Sequence, residues 1–346
     1  LHAIGRYIIG VQIRSGGAYR ERMSIPEILM PAPMLASVVE ALEKQFVLHC
    51  LWKETDADAF LAEHGSRIRG LAANTLAGRI DGAWFDRLPA LEIVANFGVG
   101  YDNLDARAAA ARGIVVTNTP GVLDEEVADL ALGLLLATLR LIPQADRYVR
   151  DGKWQNGPFP LSPTLRGRRI GILGLGAIGK AVARRLEAFD VPIAYHGRSR
   201  QVDVAYDYHP TPAALAAASD VLIAVVPGGA ATKHLIDAEV LAALGPHGVL
   251  INVARGSVVD QDALIKALQN ESILSAGLDV YEDEPHVPEA LRNLPNVVLL
   301  PHIGSASEQT RAAMGQLVVD NLTAWFSTGR AISPVPETRT GGSRSS

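Results

Sequence analysis

At the usual ~100 to 200 residues per domain, 346 residues predict two domains with full cores, and 48% hydrophobic with 20% charged residues exclude a disordered or fibrous chain. The lone cysteine, Cys50, excludes an intrachain disulfide framework and a cysteine-rich zinc module, so a reducing, cytoplasmic compartment is expected. A formal charge of -5 offers no broad footprint for nucleic acid or anionic lipid, and the most apolar helical stretch ends at Arg140 after 10 residues, short of the ~20 that span a bilayer. In chain order, residues 1–22 set Arg6, Arg14, Arg20 and Arg22 against one acid, Glu21, without a period. Residues 1–23 are therefore expected to be a non-core extension with Met23 a natural start; an organelle leader is the other reading of an arginine-rich segment, though this one is poor in serine.

Residues 28–30, 46–51, 70–73 and 91–95 read as strands, and 56–63 and 104–111 as helices. Ser37-Val38-Val39-Glu40 has the form of a capping box opening a helix through Lys44. Such alternation predicts a parallel sheet covered on both faces. A long helix is expected over 125–149. Beyond it, strand-like runs at 169–173, 193–195, 221–225, 249–252, 275–279 and 297–300 form a second series, and six is the number a doubly wound dinucleotide sheet requires. Thr211-Pro212 marks a helix start between them. Residues 307–326 have helical period behind a Ser-Glu start and are expected to return to the first domain. The tail from Thr338 is small and polar and is expected not to pack.

Gly174-Leu175-Gly176-Ala177-Ile178-Gly179 follows the apolar run at 170–173 and opens a helical stretch, a context that makes the pattern a strong dinucleotide signal. The first glycine permits the tight turn, the second lets backbone approach a pyrophosphate, and the third lets helix and strand pack closely. About 20 residues on, a strand that would end in Asp or Glu at an NAD site is followed by His196-Gly197-Arg198-Ser199-Arg200. Two arginines and a serine stand where a 2′-phosphate would lie; a solvated basic turn is the bland alternative.

Three strand ends carry candidate chemistry. Asn252-Val253-Ala254-Arg255-Gly256 offers an arginine fork suited to a carboxylate. The run 279–285 contains Asp279, Glu282, Asp283 and Glu284 before Pro285, and Pro301-His302 is the one histidine of nine behind a proline at a strand end. A carboxylate against a histidine fixes its ring and stabilises the imidazolium that must deliver a proton. Taken singly, each of these residues also has an ordinary surface or structural reading.

Together with Gly98-Val99-Gly100-Tyr101-Asp102-Asn103, these motifs give a sequence that resembles the D-isomer-specific 2-hydroxyacid dehydrogenases, over roughly residues 24–336, and within them the glyoxylate/hydroxypyruvate reductase branch. The resemblance implies an α/β fold of two Rossmann-like doubly wound parallel-sheet domains with a cleft between them. Residues 24–121 and 306–336 would form a discontinuous, flavodoxin-like substrate domain and 122–305 the dinucleotide domain, with 337–346 a disordered tail. It implies Arg255 as the residue binding the substrate carboxylate and carbonyl, Glu284 as the catalytic carboxylate because it directly precedes the proline, and His302 as the proton donor. Val99 and Gly100 amides would hold the carboxylate while residues 74–77, including Leu76 and Ala77, close over the substrate. Trp154 or Phe159, in the loop before the dinucleotide strand and reaching in from a neighbouring subunit, is a further candidate.

Cofactor contacts are expected from Gly174, Gly176, Ala177, Ile178 and Gly179, from Arg198, Ser199 and Arg200, and from Val226, Pro227 and Thr232 beyond the next strand. Val253, Ala254, Asp279, Gly304 and Ser305 complete the set, Asp279 near the nicotinamide amide. Glu284 argues against formate as substrate. The function expected is an NADPH-preferring, homodimeric reductase of small 2-ketoacids such as glyoxylate and hydroxypyruvate, using NADH less efficiently, with no metal, nucleic acid or membrane. The alternatives are an NAD-dependent dehydrogenase of a larger substrate and a nucleotide-sensing corepressor-like protein.

Overall fold

A computed structural model describes residues 25–339; the extension expected at 1–23 lies outside them. Two parallel sheets organise the chain. The first holds β1 (Glu27–Met30), β2 (Val47–Cys50), β3 (Ile68–Ala73), β4 (Ile93–Asn96) and β5 (Val115–Thr117), in the order β2-β1-β3-β4-β5. The second holds β6 (Ile170–Leu173), β7 (Ile193–His196), β8 (Asp207–Tyr208), β9 (Val221–Ala224), β10 (Val249–Asn252), β11 (Ser275–Leu278) and β12 (Val297–Leu299), in the order β12-β11-β10-β9-β6-β7-β8. Strands of such sheets are covered on both faces, and accordingly β6, β9, β10 and β11 are buried at every position.

The first order is flavodoxin-like, and the second is the 3-2-1-4-5-6 order of dinucleotide sheets with one strand added beyond the sixth. In both, the crevice for ligands opens outside the carboxyl ends of the strands, where the order reverses. The chain crosses between the two sheets twice. After β5, helix Asp124–Leu139 packs on helix Ala177–Glu187 and on β10 and β11; after β12, helix Glu308–Thr328 packs on helix Ala36–Glu43 and β4. Ser307 caps that last helix by accepting from the Thr310 amide, and Thr211 caps helix Pro212–Ala217 through Ala214, as the sequence predicts.

Four local expectations are corrected. The second sheet has seven strands rather than six, because β8 contributes only two residues along β7, too few to show a period. The helix expected over 125–149 is two helices, Asp124–Leu139 and Ile142–Arg150, broken where Leu141 turns left-handed at φ 52°. Pro143 lies in the first turn of the second helix, where its missing N–H has no helical partner to lose.

The capping box at 37–40 does not form. Helix Ala36–Glu43 begins two residues earlier, with Leu35 rather than Ser37 at the N-cap and no side-chain cap there, because burying Val38 and Leu42 sets its phase. Packing also continues into the expected tail. Thr338 is buried; its Oγ1 accepts from the Val116 amide and donates to the Val116 carbonyl, both at 3.1 Å, while Tyr101 donates to Glu337. A threonine is small enough to reach the open edge of β5 and polar enough to pair with the backbone of its middle residue.

Candidate active site

The glycine loop has the shape its spacing predicts. Gly174 turns at φ 102°, where a Cβ would meet Val226 Cγ1 at 2.8 Å, and a Cβ on Gly179 would lie 2.1 Å from the Gly174 carbonyl oxygen. Nothing lies within 4 Å of a Cβ built on Gly176. The middle glycine thus faces open space while the outer two are pressed into the fold, which is the cradle a pyrophosphate needs. Ala177 and Ile178 begin helix Ala177–Glu187, whose first turn carries no side-chain cap, so its N–H groups remain for an anion. Residues present therefore fit a bound dinucleotide.

At the end of β7, Arg198, Ser199 and Arg200 are exposed, and among the described residues neither arginine pairs with a carboxylate. Sequence reasoning missed how that turn is held. Tyr195 is fully buried beneath it, its hydroxyl accepting from the Gln201 amide at 2.6 Å, and the Gln201 side chain donates to the Leu175 carbonyl of the glycine loop at 2.8 Å. Across the crevice, Thr232 donates to the Pro227 carbonyl at 2.7 Å and closes the loop that begins at Val226.

The three strand-end motifs converge. Asn252, buried at the end of β10, accepts from the Ala254 amide and donates to the Arg255 carbonyl, both at 3.0 Å, folding Val253 and Ala254 inward and presenting Arg255. Beyond β11, a Cβ on Gly256 would lie 1.8 Å from Tyr281 backbone atoms, so only glycine lets these two turns touch. His302 Nδ1 donates to Glu284 Oε2 at 2.6 Å, while Glu284 Oε1 accepts from the Tyr281 amide at 3.0 Å. The sequence offered three acids for this role. Geometry selects Glu284: Glu282 instead pairs with His234 at 2.9 Å, and Asp283 lies near His286.

Burial pushes the Glu284 carboxyl up, but the hydrogen bond and charge of His302, the Tyr281 amide and the charge of Arg255 outweigh it and hold it below its ordinary value. It remains ionised beside the histidine. Asp279 is buried, and both of its carboxylate oxygens are engaged, by the Ile303 amide at 2.7 Å and the Gly304 amide at 2.8 Å, while its carbonyl accepts from His302 N–H. Asp279 thereby braces the turn that carries His302, which sits at φ 54°, and Gly304 and Ser305 follow in the same turn. Burial raises the Asp279 carboxyl despite those two amides.

On the opposite wall, the turn after β4 is tied back by side chains that sequence reasoning did not single out. Asn96 donates to the Gly98 and Gly100 carbonyls at 3.1 and 3.0 Å, and Asn118 donates to the Val99 carbonyl at 2.8 Å. With those carbonyls occupied, the Val99 and Gly100 amides have no partner among the described residues, and a carboxylate can take them. Two asparagines at the ends of the neighbouring strands β4 and β5 were the available signal. Leu76 and Ala77 lie on the short turn Thr75–Ala77 beneath Asn74, which accepts from the Leu76 amide, and Leu76 is 76% exposed. Trp154 stands exposed on the turn Lys153–Asn156.

A paired carboxylate and histidine, an arginine and free amides meet beside a dinucleotide cradle, so the class is an oxidoreductase that pairs hydride transfer with protonation of an anionic substrate. A family model described as "D-isomer specific 2-hydroxyacid dehydrogenase, NAD binding domain" matches residues 132–304. Glyoxylate/hydroxypyruvate reductase A HPR2 of Arabidopsis thaliana is 48% identical over 308 residues, 89% of this chain and 98% of that protein. Hydroxyphenylpyruvate reductase of Plectranthus scutellarioides is 47% identical over the same shares. The crystal structure of NADPH-dependent glyoxylate/hydroxypyruvate reductase SmGhrB of Sinorhizobium meliloti, in complex with NADP and malonate, is 55% identical, with a TM-score of 0.85 over 91% of this chain and 98% of that one. The chain belongs to the D-isomer specific 2-hydroxyacid dehydrogenase family.

Proposed function

We propose that this protein reduces small 2-ketoacids, glyoxylate and hydroxypyruvate foremost, to D-2-hydroxyacids, with NADPH as the preferred donor. The observation that carries the reading is the 2.6 Å pair of His302 and Glu284 at the strand ends that also present Arg255. Arg255 and the Val99 and Gly100 amides bind the substrate carboxylate, and His302, its ring fixed by Glu284, protonates the carbonyl oxygen as it gains charge. When bound, the nicotinamide supplies the hydride to the carbonyl carbon. Residues 174–179 hold the pyrophosphate, and Arg198, Ser199 and Arg200 take the 2′-phosphate that NADH lacks. Val226, Pro227, Thr232, Val253, Ala254, Asp279, Gly304 and Ser305 line the remainder of the cofactor site in this reading. Residues 24–121 with 306–336 act as the substrate domain and 122–305 as the dinucleotide domain.

Steady-state kinetics on a panel of 2-ketoacids with both cofactors tests this. The highest kcat/KM is expected for glyoxylate or hydroxypyruvate with NADPH; no turnover of any 2-ketoacid, with dinucleotide still binding, would return the chain to a sensing role. A larger ketoacid is the second reading, favoured by the exposed, uncharged Leu76 on the loop over the substrate and by the hydroxyphenylpyruvate reductase at 47% identity. A best rate with an aryl pyruvate would establish it.

A homodimer in the cytoplasm is part of the proposal. No helix among the described residues is long and apolar enough to cross a membrane. Burial inside the chain accounts for one side of helix Asp124–Leu139, through Val127, Ala131, Leu134 and Leu135, yet Leu132 and Leu136 remain only partly covered, with Ile142 and Trp154 exposed nearby in sequence. A second copy would cover this apolar strip and bring its Trp154 toward the substrate site. Light scattering at micromolar concentration should give twice the chain mass, and a monomeric mass would refute the dimer.

A further inference from the structure

We propose that Asp102 is a positioning residue of the substrate site, and that its charge selects ketoacids bearing a single carboxylate; this rests on the role given above to Arg255. Asp102 comes from the first sheet's side of the cleft, five residues after Phe97, and Arg255 from the end of β10 on the other side. Asp102 Oδ1 accepts from Arg255 Nε at 3.0 Å, and Arg255 Nη1 donates to its neighbour's carbonyl, Ala254, at 2.8 Å. Two edges of the guanidinium are thereby fixed. The third, Nη2, lies so close to Gly100 that a Cβ there would sit 1.7 Å from it. That edge is therefore aimed at the turn whose Val99 and Gly100 amides are free.

The close approach of Gly228 supports a built contact. A Cβ on Gly228 would lie 2.8 Å from both Arg255 Cγ and Asp102 Cγ, so the pair is packed beneath the loop after β9 with no room for a side chain. Both partners are mostly covered, at 22% and 29% side-chain exposure, which limits screening by solvent and salt. Two consequences follow. Without Asp102 the guanidinium is held only through Nη1 at the Ala254 carbonyl and can pivot away from the turn. With Asp102, the pair is neutral before substrate arrives, so one substrate carboxylate makes the cluster anionic and a second carboxylate meets repulsion.

The test uses the full chain with NADPH, comparing Asp102→Ala, Asp102→Asn and Arg255→Ala. Asp102→Ala should raise KM for hydroxypyruvate by roughly tenfold to a hundredfold, the range expected for a lost charge-assisted hydrogen bond, with NADPH binding by fluorescence quenching unchanged. Asp102→Asn keeps an acceptor for Nε and should restore most of that KM, while raising the kcat/KM ratio of oxaloacetate to hydroxypyruvate. A role confined to stability would move neither ratio nor KM. An unchanged or lowered KM in Asp102→Ala while Arg255→Ala raises it would overturn the positioning role alone, and an unchanged oxaloacetate ratio in Asp102→Asn would overturn the charge selection. An Arg255→Ala variant with wild-type KM would overturn the carboxylate role of Arg255 together with this inference.

Discussion

Replacing His302 with alanine lowers kcat by roughly 10²- to 10⁴-fold, the range for a lost general acid, while NADPH binding and the melting temperature stay near wild type. His302 is a surface residue of the cleft, its side chain 36% exposed, so its removal leaves no cavity in either core. Its contact with Glu284 is the only hydrogen bond of its ring among the described residues, and the other ring nitrogen is left for substrate. Glu284→Gln keeps the shape but removes the negative charge that pairs with the ring, so it too lowers kcat. Stability carries a second signature. The folded Glu284 carboxyl lies below its ordinary value of 4.5, so its contribution is complete above that value and is lost as pH falls through the lower, folded one. Acid denaturation followed by circular dichroism should show a shallower loss in this range for Glu284→Gln. Near-wild-type turnover in His302→Ala would remove the residue from the proton-donor role.

Arg198→Ala raises KM for NADPH by roughly tenfold to a hundredfold, as expected when a charge-assisted hydrogen bond of ~1.5 to 3 kcal/mol is lost, and leaves KM for NADH nearly unchanged. Exposed and without a carboxylate partner among the described residues, the guanidinium has no internal ion pair to give up on binding. Rising salt should weaken NADPH binding more than NADH binding, because only the phosphate ester depends on this charge. Tyr195 and Gln201 bear on the outcome. They bind the turn to the glycine loop, so the arginine is carried on a fixed backbone and its loss is not absorbed by rearrangement. Equal wild-type efficiency with both cofactors, or equal loss of NADH activity in Arg198→Ala, would reduce the turn to a solvated basic loop.

The sequence by itself determined the α/β class, the parallel character of both sheets and the dinucleotide cradle. These rest on local patterns: buried runs too short for helices, and glycines whose spacing meets three separate steric demands at 174, 176 and 179. It also placed Arg255, Glu284 and His302 on strand ends, since a motif of contiguous residues travels with its strand. The choice of Glu284 among three neighbouring acids came with the family resemblance, and the structure supplies its physical reason, a partner for each acid. What only the tertiary structure decided are contacts between residues far apart in the chain. Asp102 with Arg255 spans 153 positions, and Thr338 with Val116 spans 222; no period or spacing encodes such pairs. The strand β8 and the start of helix Ala36–Glu43 were set the same way, by an available sheet edge and by the burial of Val38 and Leu42, because packing against neighbours outweighs the weak local preference of a few residues.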